Sequence, residues 1–397
     1  MAGATESRER LLTGYSGRVM LLIVLGTAAS FAGRNVFGPI LPSVTQDLAI
    51  TDAQAGFALT IMWISIALMQ YPGGRMSDQL SYKTILVAGM SLLAIGFSLL
   101  TATTSYLMFV GGLIVMGLGG GMFTPSSYAQ LASLFEARRG QAFGVYAASI
   151  DIGGALSGAI AIGALAVASW RLSFVPVIAA LALVVIAMHL LHRGNYSLDV
   201  GDVRLEVRGT VRQLLGDRFV AMVIGGYVLH IVVYQGVLGF LPTFLRSAKS
   251  FSPTLASNAF IAFFLIAAVT RVGSGYFGDR LRYLTVGVVA ATIATLGLVV
   301  LYLSGSRPMT AAGLLLLAVG LTGYMPVINA ALMDRFPDTS MGGDYGAARS
   351  IFILLGSVGP SYIGLLGTEF DFNIAFLALA PLTVANALIV GFVLWRS

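Results

Sequence analysis

The 397-residue chain has no cysteine, only three histidines, and just 10% of its residues are charged. Without thiols there is no disulfide framework and no thiolate metal site. No cluster of histidine and carboxylate has the spacing of a metal centre either. The shortage of charge excludes more. A soluble domain carries about a quarter of its residues as Asp, Glu, Lys and Arg, and a soluble chain of this length would have nothing else to cover its surface. Intrinsic disorder, nucleic-acid binding and a water-soluble enzyme are therefore excluded. What the chain has instead is 57% hydrophobic residues, a mean hydropathy of +0.89 and 48 glycines. It reads as an integral membrane protein, with glycine letting helices approach closely where water supplies no driving force between them. Residues 1–17 are polar and the apolar stretch after them is too long for a signal-peptide core, so no cleavable signal is expected.

A hydrocarbon core about 30 Å thick needs roughly 20 helical residues. Apolar stretches between polar, Pro or Gly breaks predict twelve spans, at 18–42, 53–76, 84–102, 106–134, 139–167, 171–192, 218–245, 254–278, 283–304, 309–333, 342–367 and 373–395. Their continuous apolar length excludes a β-barrel, which shows short alternating segments. With the N-terminus in the cytoplasm, sixteen basic residues fall inside, among them Arg18, Arg75, Lys83, Arg138, Arg218, Arg282, Arg335 and Arg396. Four fall outside: Arg171, Arg246, Lys249 and Arg307. This bias places both termini in the cytoplasm. The formal charge of +6 thus reports topology rather than an acidic or nucleic-acid partner. Between spans 6 and 7 the polar stretch 193–217 divides the chain into halves 1–192 and 218–397. Its 203–215 part reads as a short amphipathic surface helix or as a solvated linker.

The halves are copies. Gly74, Asp78, Leu80 and Tyr82 recur as Gly275, Asp279, Leu281 and Tyr283, all at an offset of 201. Pro125, Ala129, Leu131 and Phe135 recur as Pro326, Ala330, Leu332 and Phe336, and Val36 and Gly38 as Val237 and Gly239, at the same offset. The protein is predicted to be a duplicated six-helix unit.

With these motifs the sequence resembles a major facilitator superfamily transporter. The Gly74, Asp78, Lys83 stretch is similar to that family's signature loop between helices 2 and 3, and Gly275, Asp279, Arg280 to its second copy. The loop's second glycine is Ser81 here, and Gln79 and Tyr82 stand where basic residues are usual. The resemblance implies an all-α fold of two pseudo-symmetric six-helix bundles, alternating access, gating roles for both loops and function as a monomer without a cofactor. It also implies a multi-pass protein of a prokaryotic inner membrane. Spans 1, 4, 7 and 10 and parts of 2, 5, 8 and 11 would line a central cavity, and spans 3, 6, 9 and 12 would face lipid.

An ionisable group at membrane depth is costly unless paired or hydrated, and marks a functional position by default. The inventory is Arg34, Asp151, His230, Arg271 and Arg349. Arg34 sits about 24 Å into span 1 at 1.5 Å per residue. The repeat sets Gln235 opposite it, with Tyr234 and His230 beside Gln235 on span 7. The Arg34-Asn35-x-Phe37 stretch is similar to the first helix of organophosphate and organic-anion carriers, where an arginine engages the anion. Substrate contact is favoured for Arg34 over simple pairing with Asp151. Arg271 resembles the helix-8 arginine of oxalate/formate and monocarboxylate carriers and reads equally as a cytoplasmic gate. Arg349 matches a basic residue of those carriers by position, or snorkels as a structural arginine. Asp151, on a stripe with Gly154 and Gly158, is either the proton-coupling carboxylate or a permanent counter-ion. His230 is the other candidate proton carrier.

Arginine suits anion capture because its planar guanidinium stays charged and grips a carboxylate or phosphate through two hydrogen bonds. The leading expectation is a secondary carrier, not an enzyme, for a small organic anion such as a carboxylate, coupled to protons or to a counter-anion. The alternative is a proton-coupled exporter of lipophilic compounds. Against it, Leu113 stands where such exporters carry a helix-4 arginine, and the helix-5 proline of their antiporter motif is missing. The absence of a P-loop argues against ATP-driven transport.

Overall fold

A computed structural model describes residues 13–135, 138–167, 169–197, 207–336 and 341–396. Among them there is no strand. Twelve helical spans are long and apolar enough to cross a membrane, from Gly14–Asn35 and Asp52–Ser77 through Arg307–Met333, Tyr345–Glu369 and Phe372–Arg396. Every predicted span is present. Polar side chains fix several starts: Ser81 accepts from the Thr84 amide, Ser105 from Met108, Ser252 from Leu255 and Asp371 from Ile374. Each such cap contributes about 1 kcal/mol.

Three spans read as continuous are broken. Span 1 ends a first helix at Asn35 and resumes as Phe37–Asp47. Span 11 divides into Met341–Gly356 and Gly359–Glu369, and span 12 into Phe372–Leu377 and Ala380–Arg396. In each case the first helix stops four residues before a proline, at Asn35 before Pro39, Gly356 before Pro360 and Leu377 before Pro381. Proline has no N–H to give to the carbonyl four residues back. Within the linker, Val207–Gly216 forms a helix, and 203–206 lie outside the described residues. Arg8, Arg10 and Arg204, three of the sixteen basic residues expected inside, lie outside the described residues.

The chain forms two compact units. One comprises Met1–Val36 and Ile64–Leu205, the other Phe37–Trp63 and Glu206–Ser397. The duplication is legible in their packing. In the first unit, a Cβ on Gly96 would meet Met116, on Gly112 Leu100, and on Gly119 the Leu93 amide. In the second, Gly297 meets Leu317, Gly313 meets Leu301 and Gly320 meets the Ala294 backbone, all at the offset of 201. Spans 3 and 4, and spans 9 and 10, thus cross backbone to backbone through equivalent glycines. The four most apolar spans are 3, 6, 9 and 12. Leu183, Leu190, Leu388 and Trp395 on spans 6 and 12 are exposed.

In the second unit the segment 37–63 packs against spans 7 and 11. A Cβ on Gly38 would stand 2.6 Å from the Leu238 carbonyl oxygen, and one on Gly56 would run into that of Pro360. Thr60 and Ser361 share a hydroxyl hydrogen bond of 2.7 Å, and the Ala53 amide donates to Thr368 Oγ1 at 3.0 Å.

Candidate functional site

In the second unit, span 7 carries an unbroken buried run from His230 to Leu245. At its start, Tyr234 Oη lies 3.4 Å from an Arg271 guanidinium nitrogen on span 8. His230, one turn earlier, stacks on Tyr324 of span 10 (centroids 4.2 Å apart, planes at 19°) and more distantly on Tyr234 (6.2 Å, 15°). Tyr227 continues the cluster, stacked at 4.1 Å on Phe352 of span 11 and edge-on to Tyr324. Arg271 and Arg349 both lie within electrostatic range of the Tyr227 hydroxyl. The Tyr324 hydroxyl is spent on Asn386 Oδ1, at 2.7 Å. Among the described residues of this cluster, His230 Nε2, Gln235 Oε1 and Asn386 Nδ2 are buried without a hydrogen-bond partner. Leaving such a group unsatisfied costs about 1–3 kcal/mol. The second unit therefore brings Tyr234, Gln235, His230, Arg271 and Arg349 into one neighbourhood.

In the first unit Arg34 is buried near the end of the first helix of span 1, its guanidinium 3.8 Å over the Phe31 ring. Asp151, on span 5, is buried to 4% exposure. The two helices touch two residues beyond Asp151, where a Cβ on Gly153 would run into the Ala28 carbonyl and come within 2.9 Å of Phe31 Cβ.

The loop motifs behave differently from their neighbours. Gly74 and Gly275 have room for a side chain, whereas Gly73 is pressed on Met122 and Gly278 on Tyr283 and Val327. Asp279 Oδ1 accepts from the Tyr283 hydroxyl at 2.9 Å. Arg280 lies 4.0 Å over the Tyr276 ring. The Asp78 side chain lies outside the described residues. Lys83 is buried, donating to the His192 carbonyl at 2.9 Å, and it lies 4.9 Å over the Tyr196 ring.

That contact belongs to a network missed in the sequence. His192, just past span 6, bonds Gln130 Oε1 through Nε2 at 3.1 Å and accepts from the Gly194 amide through Nδ1 at 3.0 Å. Both bonds together require the neutral imidazole with its proton on Nε2. Burial, reinforced by the Lys83 charge, holds the His192 pKa below its ordinary value. The aromatic residues Tyr227, Tyr324 and Phe352 were also missed, since in apolar runs they read as core. The repeat gave one signal, because Tyr324 is the counterpart of Phe123.

The family profile described as Major Facilitator Superfamily matches residues 23–360 and 223–397. The chain belongs to this superfamily. It is 25% identical over 382 residues to a gentisate transporter of Corynebacterium glutamicum, spanning 91% of this chain and 84% of that one. It is 23% identical over 392 residues to a phosphoglycerate transporter protein of Salmonella typhimurium, spanning 89% and 83%. Among solved structures, a bacterial homolog of the human lysosomal transporter Spinster, inward-facing and occupied, superposes with a TM-score of 0.82 at 16% identity, covering 96% of this chain and 97% of that one. A D-xylose–proton symporter does so with 0.80 at 16%, covering 95% and 97%. These two likenesses concern the fold. The superfamily chain is a multi-pass membrane transporter with twelve transmembrane helices.

Proposed function

We propose that this superfamily member is a secondary active carrier of a small organic anion, a carboxylate above all, working by alternating access. The observation that carries the reading is the Arg271–Tyr234 contact beside Gln235, whose buried Oε1 lacks a donor. Arginines at membrane depth favour an anion. The open acceptor on Gln235 suits a hydroxyl on the same substrate. In this reading Arg34 is the anion-binding residue of the half 1–192, Arg271 and Arg349 are those of the half 218–397, and Tyr234 and Gln235 supply orienting polar groups in the latter half. The relatives named for gentisate and phosphoglycerate carry organic anions, which supports the same class. Coupling runs through a proton on Asp151 or His230, or through exchange for a second anion. The loops with Gly74, Asp78 and Lys83 and with Gly275, Asp279 and Arg280 gate the cytoplasmic side. Access from the opposite side requires the contacts of segment 37–63 with spans 7 and 11 to part. Both termini and the linker 193–217 lie in the cytoplasm of a bacterial cell, by the charge bias of the loops.

The test is a thermal-shift screen of the purified chain against mono- and dicarboxylates, sugar acids, organophosphates and cationic dyes. An anion present at about 100 times its Kd adds roughly 2.7 kcal/mol of stability, a readily measured shift. Stabilisation by cations or neutral lipophiles alone overturns the reading. Arg34→Lys keeps the charge but loses the fork and should weaken the effective anion on the order of tenfold, with the melting temperature of the free protein little changed. Unaltered anion affinity in that variant would make Arg34 structural.

A further inference from the structure

A second basic cluster lies apart from Arg34, Arg271 and Arg349 and borders the second loop motif at Asp279. The second unit contains a cavity of about 730 Å³ between the ends of spans 7, 8, 9, 10 and 12. Arg218, Arg282, Arg335 and Arg396 line it, with only Asp279 and Asp334 as acidic counterparts. Arg335 is already paired, its Nε 3.2 Å from Asp217 Oδ2, and the Asp279 carboxylate is engaged by Tyr283. Arg218, Arg282 and Arg396 are exposed, and among the described residues none of the three makes an ion pair. The pocket therefore keeps an excess of positive charge with free guanidinium donors.

Its other walls are apolar. Phe219, Met222, Leu284 and Val393 line the interior. Leu281 and Phe392 line it too and are 59% and 40% exposed, and Trp395 beside them is 80% exposed. Exposed aromatic and aliphatic side chains at the end of a transmembrane span belong to the boundary between headgroups and acyl chains. The loop charges assign this end of the spans to the cytoplasm, where the leaflet surface is negative. A soluble metabolite needs the arginines but gains nothing from an apolar wall continuous with the lipid-facing surface. A molecule with a phosphate on an acyl chain uses both.

We infer that this cavity binds the headgroup of an anionic phospholipid, its phosphate held by Arg218, Arg282 and Arg396 and its acyl chains lying along Leu281, Phe392 and Trp395. The site is distinct from the membrane-depth arginines, and its occupancy does not depend on the identity of the transported solute.

The test is lipid titration of the purified full chain in detergent, read by native mass spectrometry. Phosphatidylglycerol should bind at least fivefold more tightly than phosphatidylcholine. Arg282→Gln combined with Arg396→Gln should remove most of that preference while leaving phosphatidylcholine binding as it was. The wild-type chain supplies a readout that needs no variant: the preference should fall between 0.05 and 0.5 M salt, as screening of exposed charges shortens from about 14 to about 4 Å. Glycerol 3-phosphate separates the two sources of a phosphate group, and it should compete weakly at most. Equal affinity for both lipids, a preference untouched by salt or by the double variant, or competition by glycerol 3-phosphate as strong as by the lipid would each overturn the inference.

Discussion

At the scale of single residues, two kinds of buried polar group behave oppositely in their legibility. Arg34, Asp151, Arg271 and Arg349 stand out in the sequence because a charge interrupting an apolar run has no cheap alternative explanation. His192 does not stand out, because it falls where a polar residue is expected anyway, just past the end of a span. Its role comes from distant partners, Gln130 on span 4 and Lys83 on span 3. The consequence is a pH dependence with a definite sign. The folded-state pKa of His192 is lowered, first by burial and then by Lys83. Folding therefore favours the neutral ring, and its contribution is fully present above the unfolded value of about 6.5 and is lost as the pH falls through the folded pKa. His192→Gln should lower the melting temperature most at pH 7.5, with the gap to wild type narrowing towards pH 5. A gap independent of pH would show that the imidazole proton plays no part.

At the scale of elements, the hydropathy pattern located every span, but it was blind to the breaks inside spans 1, 11 and 12. Pro39, Pro360 and Pro381 cause those breaks, yet Pro72, Pro125, Pro242 and Pro326 sit within helices that continue. Composition alone does not separate the two groups, because neighbouring helices decide whether a freed carbonyl is tolerated. Glycine shows the same limit. The loop motif drew attention to Gly275, where a side chain meets nothing within 4 Å, while the close crossing is at Gly320, whose Cβ would be driven into the Ala294 backbone. Gly320→Ala must push spans 9 and 10 apart and should destabilise the protein by about 1–3 kcal/mol. Gly275→Ala, in an open helical position, should be neutral or stabilising by up to about 1 kcal/mol. Chemical or thermal denaturation of the two variants side by side decides the matter, and a Gly320→Ala protein as stable as wild type would mean the crossing relaxes freely.

At the scale of the whole molecule, the repeat governs packing but not charge. The glycine pairs of spans 3–4 and 9–10 match at the offset of 201, whereas Arg34 is matched by Gln235, Arg271 by Gln70, Arg349 by Ala148 and Asp151 by Phe352. A duplicated scaffold therefore carries an unduplicated set of ionisable groups, which is why the fold was readable from the repeat and the site was not. The deep carboxylate belongs to one half only, so any proton route through a carboxylate at that depth passes through Asp151. Asp151→Asn mimics the protonated form. If Asp151 carries the coupled proton, anion binding survives in this variant, because the arginines remain. Accumulation driven by an imposed pH gradient in liposomes is lost, while exchange of labelled for unlabelled anion persists, since exchange need not release the proton. Retained gradient-driven accumulation would remove Asp151 from the pathway and leave His230 or pure anion exchange. Loss of binding and exchange together would instead identify Asp151 as the fixed partner of an arginine, because removing one member of a buried pair leaves the other charge uncompensated.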